Sequence, residues 1–349
     1  MKRTSHIAWA LSVIAISMQA HAAEPSIKIL KLAHPDGRAA PAEVYIDGEI
    51  TPALASRLSS ELAAARVNRA TIYLNSNGGD LQASMALGDF IRAKGLYTAI
   101  GRQGSGYGQS LPGACQSACV MTFAGGLYRF ADERSYFGIH RFYSRTSGTQ
   151  DLDLGQVLSA AITGYLIRMG VSPTLFERMV SAGRGALQKL PVPDAIALKL
   201  VNDGILPASW QIIGKAGKVY LQGAQETWNG TGRVQMACTR SGGLTYTAQF
   251  DAEQNTQRIK TETKNFSLRV NGRFMGLSPA QMNSGLGVEN GFLTTSFKPT
   301  RPMAEELKHA RSIGFAFHPA SSSIFYGFEI PTSQYGDLVY SFLNSCYAD

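Results

Sequence analysis

The first half of the chain alternates short apolar runs with amphipathic stretches. Residues 52–66 place leucines four positions apart, which predicts a helix with one apolar face. The neighbouring stretches predict, in order, a strand over 43–50, a strand over 71–74, a helix over 81–92 and a strand over 96–100. Strands that alternate with helices are typical of βα units on a parallel sheet, where ligands bind at the carboxyl ends of the strands.

The pattern changes near Ile213. Before it, residues 151–169 and 174–181 predict two more helices. After it come short β-rich stretches bounded by turns, over 218–221, 233–236, 244–250, 267–270 and 324–328, with one helix over 303–311. We therefore expect an α/β domain over 23–213 and a smaller β-rich domain of unknown type over 214–349.

Residues 1–22 have the pattern of a secretory signal peptide. Lys2 and Arg3 supply the charged start, residues 7–18 form a short apolar core, and Ala20-His21-Ala22 is an A-x-A cleavage site. This core is too short to span a bilayer, and no later stretch reaches transmembrane length. We expect a chain that is secreted across the inner membrane and a periplasmic location in a bacterium.

Composition and charge narrow the classes of function. The chain is 44% hydrophobic, enough for substantial cores, and its formal charge is +8, with the basic residues scattered along the sequence. Scattered charge in an exported protein indicates a solvated surface and not a nucleic-acid partner. The glycines over 101–113 do not match the spacing or context of a phosphate-binding loop. They predict a mobile flap, and we expect no cofactor.

Ser117 lies where a small, mobile segment meets an apolar run that predicts a helix. A helix N-terminus presents free N–H groups and the positive end of the dipole, which favour a developing anion. Such a position suits a nucleophile. The alternative is that Ser117 only caps the helix, since serine is a preferred N-cap residue.

Two further stretches favour catalysis over capping. The sequence Asn75-Ser76-Asn77-Gly78-Gly79 follows an apolar strand, and its glycines allow the backbone to approach a ligand closely. His140 ends the strand predicted over 136–142. A Gly-Gly turn, a serine at a helix start and a histidine at a strand end supply, in that order, an oxyanion donor, a nucleophile and a base.

At these residues the chain resembles the proteolytic subunit of Clp protease and its relatives, which include signal peptide peptidase A and the nodulation-efficiency proteases. The resemblance covers roughly residues 42–207. It implies an α/β spiral of βα units of the ClpP/crotonase type. It also implies that Ser117 is the nucleophile, that His140 is the base, and that the N–H groups of Gly79 and Ala118 form the oxyanion hole.

The chain departs from this family at the third catalytic group. The position of the family's acid falls near residues 187–189, where no carboxylate occurs. Asp194, Asp203 and Glu177 are the nearby carboxylates that could replace it, with Asp194 as the possible third member. Without an acid the site would be a Ser–His dyad. A Ser–Lys dyad with Lys189 is the less favoured alternative.

The four cysteines are expected in an oxidising compartment, which permits disulfides. Pairing Cys238 with Cys346 would tie down the end of the chain. Cys115 and Cys119 flank Ser117, and a turn before the helix could bring them together in a local bridge. The alternatives are a metal site, for which two cysteines are too few, and two buried thiols. We expect no metal.

These observations favour an exported serine hydrolase, and within that class a peptidase that acts on a peptide or protein. A homo-oligomer is compatible with this interpretation. The rival hypothesis is a catalytically inactive ClpP-like scaffold or binding protein of the cell envelope, which the missing acid favours. A crotonase-like enzyme acting on a thioester is the third, and export away from coenzyme A pools disfavours it.

Overall fold

The structure is a computed structural model and describes residues 24–31, 40–105, 109–142, 151–183, 187–239, 243–320 and 324–347. The predicted signal peptide over 1–22 and residues 106–108 of the predicted flap lie outside this part of the chain. The described chain divides into two compact units. The first runs to Gly126 and resumes over Ala131–Asp194, and the second consists of Leu127–Phe130 and the residues from Ala195 onward.

Strands and helices alternate along the first unit, and the mixed α/β content expected from the sequence is confirmed. The strands from Ser26 to Leu190 are β1 (Ser26–Leu30), β2 (Ala42–Asp47), β3 (Ala70–Asn75), β4 (Tyr97–Ile100), β5 (Arg102–Gln103), β6 (Ser110–Leu111), β7 (Ala114–Gln116), β8 (Arg129–Phe130, in the second unit), β9 (Tyr136–Ile139) and β10 (Gln188–Leu190). The helices are α1 (Leu54–Ala64), α2 (Leu81–Ala93), α3 (Cys119–Ala124), α4 (Asp151–Arg168), α5 (Thr174–Ser181) and α6 (Val192–Ala197).

The strands β2, β3 and β4 are parallel neighbours, as βα units require. The helices α1 and α2 occupy the stretches predicted for them, and Leu54, Leu58 and Leu62 are all buried. The strand β1 lies in a stretch for which the sequence pattern predicted no element. It pairs antiparallel with β2, and its half-exposed residues give a weak hydrophobic signal.

One face of β2 and β3 carries polar side chains that interact with one another by hydrogen bonding and ring stacking. The Tyr45 hydroxyl donates a hydrogen bond of 2.9 Å to the Glu43 carboxylate, and the rings of Tyr45 and Tyr73 stack at 4.7 Å. Burial and the Glu43 carboxylate raise the pKa of Tyr73 to about 12. A buried carboxylate is tolerated here because hydroxyl groups surround it.

The short helix α3 is fixed from several sides. Arg92, in the last turn of α2, donates hydrogen bonds to the carbonyl oxygens of Gly125 at 2.9 Å and Gly126 at 2.8 Å. The Tyr165 hydroxyl of α4 donates to the Met121 carbonyl at 2.7 Å. All six residues of α3 are buried. A helix held in this way provides a rigid support for the residues that precede it.

The second unit is built from antiparallel strands. Its remaining strands are β11 (Ser209–Lys215), β12 (Lys218–Thr227), β13 (Gly230–Cys238), β14 (Leu244–Asp251), β15 (Thr263–Val270), β16 (Arg273–Gly276), β17 (Gly287–Glu289), β18 (Phe292–Phe297), β19 (Ser312–Pro319) and β20 (Tyr326–Pro331), and its remaining helices are α7 (Thr256–Glu262), α8 (Arg301–Lys308) and α9 (Gly336–Ser345). The strand orders are β11-β12-β13-β14-β18-β17 in one sheet and β16-β15-β19-β20 in another. Tyr246 and Phe297 from the first sheet share one core with Phe315 and Phe317 from the second.

The second unit begins earlier than the boundary expected at Ile213. The Arg129 guanidinium donates hydrogen bonds to the carbonyl oxygens of Leu200 at 2.8 Å and Lys199 at 2.9 Å. The Arg129 backbone N–H also donates to the Asn202 side chain at 2.8 Å. These contacts join residues about seventy positions apart, so no local pattern could have indicated them.

A disulfide joins Cys238, at the end of β13, to Cys346, just after α9. The two cysteines are 108 positions apart in sequence, with Cα atoms 4.8 Å apart. The bond therefore closes a long loop within the second unit, and long loops lose most entropy when they are cross-linked in the unfolded chain.

Replacing both cysteines, Cys238→Ser with Cys346→Ser, should lower the free energy of unfolding of the second unit by up to about 4–5 kcal/mol in the chain-entropy model. Tryptophan fluorescence during guanidinium unfolding measures the change, since Trp210 is buried and Trp228 half-exposed in this unit. An unchanged unfolding midpoint would show that the bond contributes nothing to stability.

Candidate active site

Ser117 occupies a sharp turn between β7 and α3. Its φ angle is +53°, a left-handed conformation that residues other than glycine adopt rarely. Its N–H donates a hydrogen bond of 2.7 Å to the Gly138 carbonyl. The N-cap of α3 is Ala118, with no side-chain cap, so Ser117 does not serve as the N-cap of this helix.

A disulfide spans this turn. Cys115 lies in β7 and Cys119 is the first residue of α3, and both are fully buried. Their Cα atoms are 5.3 Å apart, within the usual range for a disulfide, because the chain turns between them. The bond therefore encloses Ser117 in a small covalent loop.

The glycine turn predicted over 78–79 lies directly against Ser117. The loop is joined to β7 by two backbone hydrogen bonds, from Ser76 N to Ala114 O at 2.8 Å and from Gln116 N to Ser76 O at 2.9 Å. Gly78 has a φ of +111°, and a Cβ atom there would lie 2.9 Å from the Ser117 Cβ. Only glycine fits this position without displacing Ser117.

The two N–H groups expected to form an oxyanion hole belong to Gly79 and Ala118. Gly79 is exposed and forms a parallel bridge with Ile50, in which Gly78 O accepts from Ile50 N and Ile50 O accepts from Asp80 N. In such a bridge the N–H of the middle residue points away from the partner strand. Within the described residues, neither this N–H nor that of Ala118 donates a hydrogen bond.

His140 follows directly after β9. The strand β7 pairs in parallel with β9, with Gln116 opposite Gly138, so Ser117 and His140 leave the carboxyl ends of adjacent strands. The His140 Nδ1 lies 2.8 Å from the Arg141 carbonyl oxygen. A carbonyl oxygen can only accept a hydrogen bond, so this contact requires the proton on Nδ1 and leaves the lone pair on Nε2.

None of the carboxylates considered as the third catalytic group is bonded to His140. Asp194 forms an ion pair of 2.7 Å with Arg178 of α5. Glu177 lies in the first turn of α5, and Asp203 lies in the second unit. Lys189 lies 5.3 Å from the centre of the Tyr136 ring, a cation–π contact.

An apolar residue precedes β10, in the stretch where the sequence lacks the expected acid. The strand β10 pairs antiparallel with β9, with Gln188 opposite Ile139. Leu187 comes just before β10, and its side chain lies against Gly138 of β9. This side chain is exposed and offers no hydrogen-bond acceptor.

Ser117 and His140 line the same cavity, whose volume is about 1230 Å³. Gly79 also lines it, whereas the side chain of Ala118 is buried beside it. One wall is formed by apolar residues of α4 and α5, namely Leu158, Ile162, Phe176, Met179 and Val180. Three exposed carboxylates, Asp47, Glu49 and Asp80, lie along its edge.

Two parts of this site gave no recognisable signal in the sequence. The sequence pattern predicted α4 and α5 as helices, but their apolar residues gave no sign that they would face a cavity. The only sequence signal of Arg141 is its place next to His140.

In the described residues, no group of three or more His, Cys, Asp or Glu side chains could hold a metal ion. The same residues include no helix that is long and apolar enough to span a membrane.

No protein-family model matches the chain, and none of the curated proteins matches it. Among solved structures it is similar to ClpP1 from Listeria monocytogenes, with 21% sequence identity and a TM-score of 0.35 over 46% of this chain and 88% of that one. A mutant of that ClpP1 gives 21% identity and a TM-score of 0.34 over the same shares of the two chains. A mutant of the 1510-N membrane-bound stomatin-specific protease gives 16% identity and a TM-score of 0.35 over 45% of this chain and 75% of that one. These values are too low to transfer a residue role or an activity.

The variant Gly78→Ala should displace Ser117, because its Cβ would overlap the Ser117 Cβ and its φ is unfavourable for alanine. We expect a loss of stability of about 1–3 kcal/mol and a loss of Ser117 reactivity toward a fluorophosphonate probe. Gly95→Ala is the matched control, since Gly95 has a φ of +63° but open space around it. Equal reactivity of both variants would show that Gly78 does not position the serine.

The disulfide beside Ser117 can be tested separately. Replacing Cys115 or Cys119 by alanine should release the turn and lower the rate of probe labelling of Ser117, because the bond helps to hold its left-handed backbone. The variant without Cys238 and Cys346 serves as the control and should keep the wild-type labelling rate. A Cys115→Ala variant that is labelled as fast as wild type would show that the bond has no part in the site.

Proposed function

We propose that the protein is a serine hydrolase, and within that class a peptidase, with Ser117 as the nucleophile and His140 as the general base. One observation carries the proposal. Ser117 lies in a left-handed turn and lines one cavity together with His140 and Gly79. This is the set of groups that acyl transfer through a serine requires.

The chemistry follows from these positions. The Ser117 Oγ would attack the carbonyl carbon of the substrate while its proton passes to the lone pair on His140 Nε2. The oxyanion that forms would accept hydrogen bonds from the N–H groups of Gly79 and Ala118. Because α3 has only six residues, these two donors would stabilise the oxyanion more than the helix dipole does.

The second half of the reaction uses the same groups. Collapse of the tetrahedral intermediate would break the bond to the leaving amine, which takes the proton from His140, and leave an acyl group on Ser117. Water would then attack the acyl group, with His140 again accepting the proton. In the described structure Ser117 Oγ makes no hydrogen bond, which is common before substrate binds.

The size and lining of the cavity support a peptide or protein substrate. Its volume of about 1230 Å³ exceeds the range typical of small-molecule sites, roughly 300–1,000 Å³. An apolar wall suits side chains, while exposed backbone donors such as Gly79 suit main-chain carbonyls. As part of this proposal, the first unit is a ClpP/crotonase-type spiral of βα units.

Export to the periplasm is also part of the proposal. It is supported by the leader-like sequence over 1–22 and by the two disulfides, which persist in oxidising compartments. No nucleic acid is expected as a partner in that location.

A catalytically inactive scaffold or binding protein is the second candidate. It is favoured by the lack of a carboxylate at residues 187–189 and by the ion pair of Asp194 with Arg178. In that case the cavity would bind a peptide without cleaving it.

A fluorophosphonate probe distinguishes the two candidates, because it reacts covalently with activated serines. Wild-type protein should be labelled on Ser117, and Ser117→Ala should lose the label entirely. Ser159→Ala is the matched control, since Ser159 lines the same cavity but donates its hydroxyl to the Gly155 carbonyl at 2.7 Å. Folded wild-type protein that takes no label would favour the scaffold.

A further inference from the structure

We propose that Arg141 is a positioning residue, whose main-chain carbonyl orients the His140 imidazole and whose side chain holds that carbonyl in place. This inference rests on the proposed hydrolase function. It assigns to a neutral backbone group the part that a carboxylate plays in a catalytic triad, which is to fix the tautomer and the ring orientation.

The imidazole of His140 contacts the main chain of the residue that follows it. The Arg141 carbonyl accepts from His140 Nδ1 at 2.8 Å, and the two residues are adjacent in sequence. The position of this carbonyl depends on the backbone torsions of Arg141. The orientation of the imidazole therefore depends in part on the conformation of the following residue.

The pairing of β9 with β10 does not extend to His140 and Arg141. The last ladder pair of β9 with β10 is Ile139 with Gln188. His140 and Arg141 lie beyond it, and no strand is assigned to either residue. Another contact must hold this backbone.

The side chain of Arg141 supplies such a contact. The Arg141 guanidinium donates two hydrogen bonds to one acceptor, the Val180 carbonyl, through Nε at 2.9 Å and Nη2 at 2.7 Å. Val180 lies in the last turn of α5, where carbonyl oxygens have no partner within the helix. The planar fork of arginine can make both bonds, whereas a lysine cannot reproduce that geometry.

The helix α5 is itself held in place by buried side chains and by an ion pair. Leu175 and Met179 are fully buried, and Arg178 pairs with Asp194 at 2.7 Å. Asp194, which the sequence suggested as a possible third catalytic group, thus pairs with the helix to which the Arg141 side chain is hydrogen-bonded. Its effect on His140 would pass through α5 and Arg141, without direct contact.

The test compares Arg141→Met, Arg141→Lys and the control Arg134→Met. Arg134 is an exposed arginine that forms an ion pair with nearby Asp132. We expect the limiting rate of fluorophosphonate labelling to fall about tenfold in Arg141→Met, the order expected when one orienting hydrogen bond is lost. Arg141→Lys should fall between Arg141→Met and wild type, and the control should equal wild type. The concentration of probe giving half the limiting rate should stay unchanged.

A second measurement does not depend on activity. Nitrogen-15 spectra of the His140 imidazole, taken where it is neutral, should show the proton on Nδ1 in wild type and a mixture of tautomers in Arg141→Met. Thermal melting establishes that each variant is folded.

The outcomes separate the two proposals. Labelled wild type with an unchanged rate and tautomer in Arg141→Met would overturn the positioning role and leave the hydrolase standing. A shift only in the half-limiting probe concentration would also overturn it, because Arg141 would then contact the ligand. Wild type that takes no label would overturn the hydrolase, and the positioning role with it.

Discussion

The site depends on one backbone constraint, the left-handed turn at Ser117. That conformation is unfavourable for a serine and persists only where its surroundings enforce it. The surroundings here are the Gly138 carbonyl, which accepts from the Ser117 N–H, the disulfide between Cys115 and Cys119, and the close approach of Gly78. Because the three act from different elements, the serine is held by the sheet, the helix and the neighbouring loop together.

Local pattern was enough to predict the elements around this turn, but not the contacts that complete the site. The leucine spacing in α1 and the apolar strands β3 and β4 follow from burial of one face, which a short window of sequence records. The hydrogen bonds of Arg129 to Leu200 and of Arg141 to Val180 link distant positions through side chains that look like ordinary surface arginines. Such contacts depend on the tertiary structure, so the hydrophobic periodicity of the sequence does not predict them.

In the proposed site, a neutral group would take over part of the role of a charged one at His140. A carboxylate both fixes the imidazole tautomer and stabilises the imidazolium through its full negative charge. A backbone carbonyl also fixes the tautomer, but its partial charge stabilises the imidazolium less. Leu187, whose side chain lies against Gly138 of the same strand, adds no charge. In the proposed enzyme the oxyanion donors would carry a larger share of the transition-state stabilisation than in a site with a buried acid.

The bond between Cys238 and Cys346 closes the part of the second unit that lies between them into a covalent ring. The strands β14 to β20 and the helices α7 to α9 all lie inside this covalent loop. A single proteolytic cut between the two cysteines would leave both pieces joined, so the unit could be nicked without losing a fragment. For a protein proposed to work among proteases outside the cytoplasm, such a ring limits the damage that any one cleavage can do.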